Sequence, residues 1–341
     1  MSKVTAIVFQ NYGVPHEAAE CEEISLSPVG ADEVQIRLLA APINPADLNT
    51  IEGRYPTGRE LPGRPGVEGI AEVVEIGATV SHLQVGDRVL FPHGVGAWRE
   101  AAVVSARGLF AVPKAIPIEQ AAMLRINPAT ALRMLRDFVP LQPGDWVLQN
   151  LSNSGVGRSV IQIAKACGWR TINVVRGEHH VPGLKAIGGD EVLVDGEGLV
   201  EQIKAITGNE PVRLALNGVG GESALRLANA LAPGGTVVTY GAMGRQPLRI
   251  PNGLLIFQDL SWRGFWVSRW YREATPEARD VMFQELFDLA ARGVLHTPVE
   301  RIYPLTEVRG ALEHAARPRR EGKILFGASE VCAAFHAESA K

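Results

Sequence analysis

Short apolar runs separated by glycine and proline mark the first third of the chain. They occupy 3–10, 33–43, 69–77 and 87–91, and the first of them alternates between polar and apolar positions. Alternation with a period of two residues is typical of a strand that has one face buried. The pattern therefore predicts a β-rich region that extends to about residue 122.

A second pattern begins near Asn127, where strand-sized apolar runs, glycine turns and amphipathic segments of helical length follow one another. The strand-like runs are 145–150, 170–176, 191–195, 212–219 and 236–241, and the helix-like segments between them are 157–168, 182–188, 199–208 and 222–235. Strands that alternate with helices form a parallel, doubly wound sheet. The sequence therefore predicts an α/β protein with a Rossmann domain over 123–269.

The last part of the chain returns to a mixed pattern. A helix is predicted over 278–293, a strand-like run over 299–307, a helix over 308–317 and a closing strand over 322–327. We expect this tail to pack back on the first region. One domain would then comprise 1–122 and 270–341.

Composition narrows the class of protein. The 341 residues are 46% hydrophobic and 21% charged, which is typical of a soluble globular chain of two domains. A net charge of −3 offers no general attraction for nucleic acid or an anionic membrane. No apolar run approaches the roughly 20 residues that span a bilayer. We therefore expect neither nucleic acid nor membrane as a partner.

The N-terminus and the cysteines bear on the compartment. The first ten residues alternate like a strand and show neither a signal peptide nor an Arg-rich transit pattern. Cys21, Cys167 and Cys332 are odd in number and far apart, which suits a reducing compartment. The eight histidines lack ligand spacing. We expect a cytoplasmic protein without a metal.

A glycine-rich turn after the first strand of the Rossmann pattern is a candidate phosphate site. It runs through Asn153, Ser154, Gly155, Val156 and Gly157 into a helix. Helix N-terminal amides favour anions, and glycine lets a pyrophosphate approach the backbone. The run lacks the full G-x-G-x-x-G spacing, so a turn without a nucleotide remains an alternative. Within a doubly wound domain it predicts a dinucleotide site.

Arg176 bears on which dinucleotide is bound. It ends the next strand, about 20 residues on, where an NAD enzyme places an acidic residue against the ribose 2′-hydroxyl. A guanidinium suits a 2′-phosphate, whereas a carboxylate would repel it. The sequence therefore predicts NADPH, with a solvated residue at the strand end as the alternative.

Several motifs together carry a resemblance to a known family. They are 41–56, 65–77, 96–103, 127–135, 141–157, 171–176, 215–224, 234–247 and 260–270, which occur in family order. On these motifs the chain resembles the zinc-free medium-chain dehydrogenases/reductases, and among them the trans-2-enoyl thioester reductases of the mitochondrial type. The resemblance extends over nearly residues 1 to 325 and implies a GroES-like catalytic domain beside the Rossmann domain.

Zinc-dependent relatives supply a contrast. They carry a zinc-binding His within the motif at 65–77, where this chain has Val67 beside Glu68. An apolar side chain cannot ligate zinc. The chain also lacks the catalytic Cys and the four-Cys lobe of those relatives. The resemblance therefore implies a site without metal.

The resemblance also implies a reaction. Hydride from NADPH reaches Cβ of an α,β-unsaturated acyl thioester, carried by CoA or a carrier protein, and a proton reaches Cα. Tyr55 matches the catalytic donor of such reductases, and a phenol is protonated at neutral pH. Asn44 would orient the substrate or Tyr55. Alternatively, Tyr55 packs a loop and Asn44 caps a turn around Asp47.

Further site residues follow from the same resemblance. The cofactor residues would include Tyr240, Gly241, Met243, Phe265, Trp266 and Lys323. Trp266 and Trp270 would line an acyl pocket, unless these aromatic residues belong to the core or to an interface. Lys323 could instead cap a sheet edge. Relatives often have a small or apolar residue at Arg125, so the shape of the pocket near it stays open.

Surface features suggest partners. Arg54, Arg59 and Arg64 surround Tyr55 and would bind the phosphates of CoA or of a carrier arm, although a simple surface cluster gives the same sequence. The segment 244–266 resembles one through which family members pair edge strands, which predicts a homodimer. A quinone or 2-haloacrylate reductase and a non-catalytic NADPH-binding protein remain alternatives. The tail 329–341 lies outside the resemblance.

Overall fold

The computed structural model describes residues 2–55, 60–208, 210–318 and 320–339. In chain order the strands are β1 (Lys3–Phe9), β2 (Ala19–Ser25), β3 (Glu33–Pro42), β4 (Ile70–Ile76), β5 (Arg88–Leu90), β6 (Ala101–Ser105), β7 (Trp146–Gln149), β8 (Arg170–Val175), β9 (Glu191–Val194), β10 (Val212–Asn217), β11 (Thr236–Thr239), β12 (Ser261–Gly264), β13 (Val299–Tyr303) and β14 (Lys323–Gly327).

The helices complete the fold. They are α1 (Pro15–Ala18), α2 (Pro45–Ile51), α3 (Ile118–Ala121), α4 (Asn127–Asp137), α5 (Gly155–Ala166), α6 (Val181–Ala186), α7 (Leu199–Thr207), α8 (Gly221–Asn229), α9 (Asn252–Ile256), α10 (Val267–Glu273), α11 (Pro276–Ala291), α12 (Val308–Ala316) and α13 (Ser329–Ser339). Among the described residues no helix combines the length and the apolar character needed to cross a membrane.

The chain divides into two units. The first unit comprises Met1–Ile126 with His296–Lys341, and the second comprises Asn127–Leu295. The structure thus places 270–295 in the second unit, whereas the sequence analysis assigned these residues to the β-rich domain. The cause is packing on α4, because Arg136 pairs with Glu285 of α11 at 2.6 Å and Arg133 lies 4.9 Å from the centre of the Trp270 ring.

The second unit is built on one parallel sheet with the strand order β12-β11-β10-β7-β8-β9. The chain starts in the middle with β7, builds outward through β8 and β9, and then crosses over to β10. All four residues of β7 are buried, as expected for a strand covered by helices on both faces. The predicted doubly wound α/β fold is confirmed, and its crossover lies between the carboxyl ends of β7 and β10.

The first unit holds a mixed sheet around β3. Its order is β13-β14-β3-β4-β5, and β6 pairs with the first half of β3. Trp98, buried to 1% exposure, packs edge-on against Phe326 with ring centres 5.0 Å apart. The terminal strands β13 and β14 thus belong to the sheet that β3 begins, whereas β1 and β2 form a separate two-stranded sheet.

Two strands of the first unit were not predicted from the pattern. β2 pairs with β1 over its full length, but it carries three glutamates and only two of its residues are strongly apolar. β6 is short and rich in alanine. Both obtain their stability from pairing with a neighbouring strand, which a local hydrophobic pattern does not reveal.

Candidate active site

The turn between β7 and α5 is fixed by its own side chains. Ser154 caps α5, and its hydroxyl accepts a hydrogen bond from the Gly157 amide at 3.1 Å. Ser152 is fully buried and donates to the carbonyl of Val174 at 3.0 Å. The amides of the first helical turn are thereby held at the carboxyl edge of the sheet, where an anion is stabilised.

Gly157 permits this close packing. A Cβ atom there would lie 2.5 Å from the carbonyl oxygen of Ser152 and 2.6 Å from its Cα. Both neighbours are backbone atoms and cannot move aside as a flexible side chain would. The predicted glycine turn is therefore a requirement of helix-to-strand packing at this position.

Two buried asparagines join the ends of β7 and β10. The Asn150 amide donates to Asn217 Oδ1 at 2.9 Å and to Ser223 Oγ at 3.0 Å, and Asn150 Oδ1 accepts from the Gly218 amide at 2.8 Å. Every polar atom of the Asn150 side chain thus has a partner. The network holds the two strand ends at the crossover in one geometry.

A groove opens at this crossover, with about 550 Å³ of open space. It is lined by Asn150, Leu151, Asn153, Val174, Val175, Arg176, Asp195, Val219, Ser223, Met243 and Gly244. Arg176 is exposed at its rim. Asp195 also lines the groove, but its carboxylate accepts from Arg226 Nε at 2.6 Å, which offsets its charge.

The segment after β11 forms another part of the groove. Tyr240 lies over Gly218, since a Cβ on that glycine would be 2.8 Å from the Tyr240 hydroxyl oxygen. Burial raises the pKa of this phenol far above its ordinary value, and the nearby Ser154 lowers it by less. Met243 is 59% exposed, and its amide donates to the Gly218 carbonyl at 3.0 Å.

The predicted aromatic residues lie further along the same unit. The Phe265 amide donates to the Thr239 carbonyl, and its ring meets that of Phe138 edge-on at 6.0 Å. Trp266 precedes α10 and is half-buried, with the Arg272 guanidinium 4.8 Å from its ring centre. Trp270 contacts Arg133 and Tyr271. Each ring is thus already packed inside this unit.

The other predicted residues belong to the first unit, where Asn44 begins α2. Its backbone amide donates to Asp47 Oδ2 at 2.9 Å, and Asp47 Oδ1 accepts from the amides of Gly66 and Val67 at 3.0 and 2.9 Å. Asn44 and Asp47 therefore form a capping box at the start of α2, in which the Asn44 side chain also accepts a hydrogen bond from the Asp47 backbone amide. The predicted alternative, capping by Asn44, is thus observed together with the reciprocal contact from Asp47. The Asn44 side chain has two further partners.

Those partners are two charged groups, the buried Glu68 and the half-buried Lys323. The Asn44 amide donates to Glu68 Oε1 at 2.8 Å, and Lys323 Nζ donates to Asn44 Oδ1. Glu68 is fully buried and also accepts from the Ile126 amide at 2.8 Å. Burial raises the pKa of Glu68 and lowers that of Lys323, while the attraction between the two charges opposes both shifts.

Tyr55 stands a few residues beyond α2. Gly53, at a φ of 72°, turns the chain, and the Tyr55 amide donates to the Asn49 carbonyl at 3.1 Å. The side chain of Tyr55 is half-buried. It is therefore held at the end of a short, capped helix.

The arginines around Tyr55 differ in their surroundings. Arg54 is exposed and pairs with Glu52 at 3.0 Å, so its charge is partly offset. Arg64 is also exposed, whereas Arg125 is 8% exposed. Arg59 lies outside the described residues.

The structure brings the predicted residues together in two groups. Asn153, Arg176 and Met243 line the groove of the second unit, and the predicted neighbours Ser154 to Gly157, Tyr240 and Gly241 adjoin them along the chain. Asn44 and Lys323 meet through one hydrogen bond in the first unit. Sequence reasoning missed Asn150, Asn217 and Glu68. An asparagine directly before a glycine turn at the end of a buried strand was the available signal for the first two.

No group of three or more His, Cys, Asp and Glu side chains in the described ranges is arranged to hold a metal ion. At the place of the zinc ligand in the zinc-dependent relatives, the Val67 amide donates to Asp47.

Comparison with known proteins shows which families and enzymes this chain is similar to. Residues 30–114 match the alcohol dehydrogenase GroES-like domain, and residues 155–284 match the zinc-binding dehydrogenase family. The human mitochondrial enoyl-[acyl-carrier-protein] reductase is 44% identical over 323 residues, which cover 93% of this chain and 87% of that protein. The Caenorhabditis elegans enzyme of the same name is 45% identical over 287 residues, or 82% of each chain.

Solved structures of enzymes with related names are similar to nearly the whole chain. The complex of Etr1p with NADP and crotonyl-CoA is 27% identical, with a TM-score of 0.88 over 96% of this chain and all of the other. A putative NADPH:quinone reductase from Bacillus thuringiensis is 28% identical, with a TM-score of 0.90 over the same shares. The chain belongs to the medium-chain dehydrogenase/reductase family and, within it, is an oxidoreductase of the enoyl reductase type.

Proposed function

We propose that this protein reduces the carbon–carbon double bond of an α,β-unsaturated acyl thioester with NADPH. The observation that carries the proposal is the 44% identity to an enoyl-[acyl-carrier-protein] reductase over 93% of the chain. Solved relatives that hold NADP and crotonyl-CoA support both the cofactor and the thioester.

The residues of the groove fit NADPH. The capped N-terminus of α5 offers amides to a pyrophosphate, and the backbone at Gly157 leaves no space for a side chain. Arg176 supplies a cation where an NAD enzyme has a carboxylate, and the carboxylate of Asp195 is paired. We propose Asn153 to Gly157, Arg176, Tyr240, Gly241 and Met243 as cofactor residues, with Phe265, Trp266 and Lys323 added from the family resemblance.

We propose Tyr55 as the catalytic hydrogen-bond donor. NADPH supplies a hydride for Cβ of the substrate when it is bound. Negative charge then develops on the thioester oxygen, and a positioned phenol stabilises that charge by donating a hydrogen bond. Asn44, held by Glu68 and Lys323, supports this end of the site. Trp266 and Trp270 would contact the acyl chain, and Arg54, Arg59 and Arg64 the phosphates of the carrier.

The experiment follows NADPH absorbance with crotonyl-CoA, a longer trans-2-enoyl-CoA, a simple quinone and 2-chloroacrylate in parallel. We expect oxidation of NADPH with the two enoyl-CoA substrates. Oxidation of NADPH with the quinone alone would assign the activity named for the B. thuringiensis protein, and oxidation with 2-chloroacrylate alone would assign a haloacrylate reductase. Stoichiometric binding of NADPH without turnover on any acceptor would leave only a binding protein.

Assembly and location are also proposals. We propose a homodimer formed through the segment 244–266, since β12 lies at the edge of its sheet and Ile256 and Phe257 are 68% and 85% exposed. A two-protein assembly is named for a Candida tropicalis relative. We propose a cytoplasmic location from the few, widely separated cysteines, whereas several relatives are named mitochondrial. Fractionation of cells that express the full chain would decide the compartment.

A further inference from the structure

A line of hydrogen bonds crosses the second unit at the carboxyl edge of its parallel sheet. The Trp262 indole of β12 donates to Thr239 Oγ1 of β11 at 3.0 Å, and the Asn217 amide of β10 donates to the same oxygen at 3.1 Å. Asn217 Oδ1 in turn accepts from the Asn150 amide, just beyond β7, at 2.9 Å. These four residues, which we call the polar ladder, connect the outermost strand of the sheet to the crossover.

The donors around the polar ladder allow only one orientation of its central amide. An indole N–H and a backbone N–H can donate but cannot accept. The amides of Val219 and Gly220 donate to Asn217 Oδ1 at 3.2 and 3.0 Å, so the Asn217 NH₂ group faces Thr239. Asn217 is fully buried, and a flipped amide would set its NH₂ group against three other donors. The orientation is therefore fixed.

The polar ladder thereby holds the turn that follows β10. Asn150 Oδ1 accepts from the Gly218 amide at 2.8 Å. Gly220 has a φ of 89°, and a Cβ there would lie 2.7 Å from the Gln246 carbonyl oxygen, so the turn is packed closely on the segment after β11. Asn150 and Val219 line the groove. The position of this turn therefore sets one wall of the groove.

Trp262 lies at the far end of the polar ladder, since β10 and β11 separate its strand from β7. Its ring is half-buried and packs against the core of the second unit. Its indole N–H is one of two donors that hold Thr239 Oγ1 in place. Without this donor the Thr239 hydroxyl has another orientation open to it, and the Asn217 amide loses its fixed acceptor.

We propose that Trp262 is a positioning residue for the dinucleotide groove, which acts through Thr239 and Asn217 on the turn after β10. This role rests on the proposed function, since the groove is taken to hold NADPH. Cofactor affinity is then linked to a side chain of the edge strand that acts without contacting the cofactor. All four residues of the polar ladder belong to one chain, so the linkage does not require the proposed homodimer.

Substitution of Thr239 tests the central contact of the polar ladder. Thr239→Val keeps the shape of the side chain and removes the hydroxyl, so we expect the Kd of NADPH to rise about threefold to tenfold. Thr239→Ser keeps the hydroxyl and should bind NADPH like the wild type. Thr236→Val, at the other end of β11, is the matched control and should leave the Kd unchanged. Fluorescence titration of the full chain with NADPH measures each Kd.

Trp262→Phe removes the donor at the far end and should raise the Kd by a similar factor. The double variant Thr239→Val/Trp262→Phe should bind no more weakly than the weaker single variant, because both changes break the same contact. Trp146→Phe is the matched control, since the Trp146 indole donates to Glu210 at 2.9 Å at the amino end of β7. This variant should lose stability and keep the Kd of the wild type.

The outcomes separate the role of Trp262 from the proposed function. Tight binding of NADPH by the wild type, with an unchanged Kd in Thr239→Val and Trp262→Phe, would overturn this role and leave the cofactor in place. An equal rise in Kd in Trp146→Phe would also overturn it, because the effect would then follow stability. If Thr239→Val does not fold, the comparison of the two tryptophan variants decides. Failure of the wild type to bind NADPH would instead remove the proposed function.

Discussion

At the scale of single residues, the first unit depends on a buried chain of polar groups. Lys323 donates to Asn44, and Asn44 donates to Glu68. Burying a carboxylate is costly unless it is paired and hydrogen-bonded, and here one amide connects it to a cation. The arrangement gives Asn44 a fixed orientation and joins β14 to the start of α2.

Removal of the cation should destabilise this unit. For Lys323→Met we expect a loss of about 3 kcal/mol in the free energy of unfolding, because Glu68 stays buried without its partner charge. The folded-state pKa of Glu68, already raised by burial, rises further in the variant. Stability is then retained at low pH, where Glu68 is protonated, and lost as pH rises.

Urea unfolding at pH 5.5 and pH 8 measures this effect. The loss should be larger at pH 8, and the double variant Lys323→Met/Glu68→Gln should recover part of it. Equal losses at both pH values would show that the charge of Glu68 is not involved.

Tyr55 is the residue on which turnover should depend. Tyr55→Phe removes a hydroxyl and preserves the ring, so we expect kcat with an enoyl-CoA to fall about 100-fold or more. Binding of NADPH, measured by fluorescence titration, should be unchanged. Tyr12→Phe is the matched control, since Tyr12 is an exposed tyrosine that packs against Gly53. Full activity of Tyr55→Phe would remove the assignment of the donor.

At the scale of elements, the β7–α5 turn combines a helix cap with a close backbone contact. Ser154 caps the helix, and Gly157 lets the helix approach the strand end. The same contact that stabilises the element therefore shapes the anion site. Stability and binding should respond together to a change here.

Gly157→Ala tests this coupling. The added methyl would meet the Ser152 backbone, so we expect a loss of about 2 kcal/mol in stability together with weaker NADPH binding. Gly183→Ala in α6 is the control, because its Cβ meets no atom within 4 Å, and it should stabilise the protein slightly. Thermal unfolding and NADPH titration of both variants measure the two effects. An unchanged Gly157→Ala variant would contradict the steric argument.

At the scale of the whole molecule, the parallel sheet of the second unit ends in β12. Among the described strands β12 pairs with β11 alone, so its outer edge has no strand partner there. Leu255, Ile256 and Phe257, in α9 and just after it, are exposed. An exposed strand edge beside apolar side chains is a common site of association. The proposed homodimer would cover the β12 edge and these apolar side chains.

Light scattering checks this proposal. The wild type should have about twice the 36.7 kDa mass of one chain, and Ile256→Asp should lower the measured mass towards that of a monomer. Val281→Asp, at a residue of α11 that is 67% exposed, is the control and should leave the mass unchanged. A wild-type mass equal to that of one chain would contradict the proposed homodimer.

The sequence predicted most of the second unit because its signals are local. An apolar strand such as 145–150, a glycine turn and a helix follow one another within about 25 residues, and Arg176 stands at a strand end that this pattern defines. The family resemblance extended the prediction to enoyl reduction, which the comparisons support. The boundary near residue 270 was misplaced because no local pattern shows which unit α11 packs against.

What the sequence by itself determined is the class of fold and the position of the dinucleotide turn, because periodicity and glycine placement act over a few residues. Only the tertiary structure decided the partners of buried polar groups. Asn44, Glu68 and Lys323 are separated by up to 279 residues, and Asn150 and Asn217 by 67. A buried polar group must find its partner wherever folding brings one near, so these contacts depend on the assembled sheets and on no local pattern.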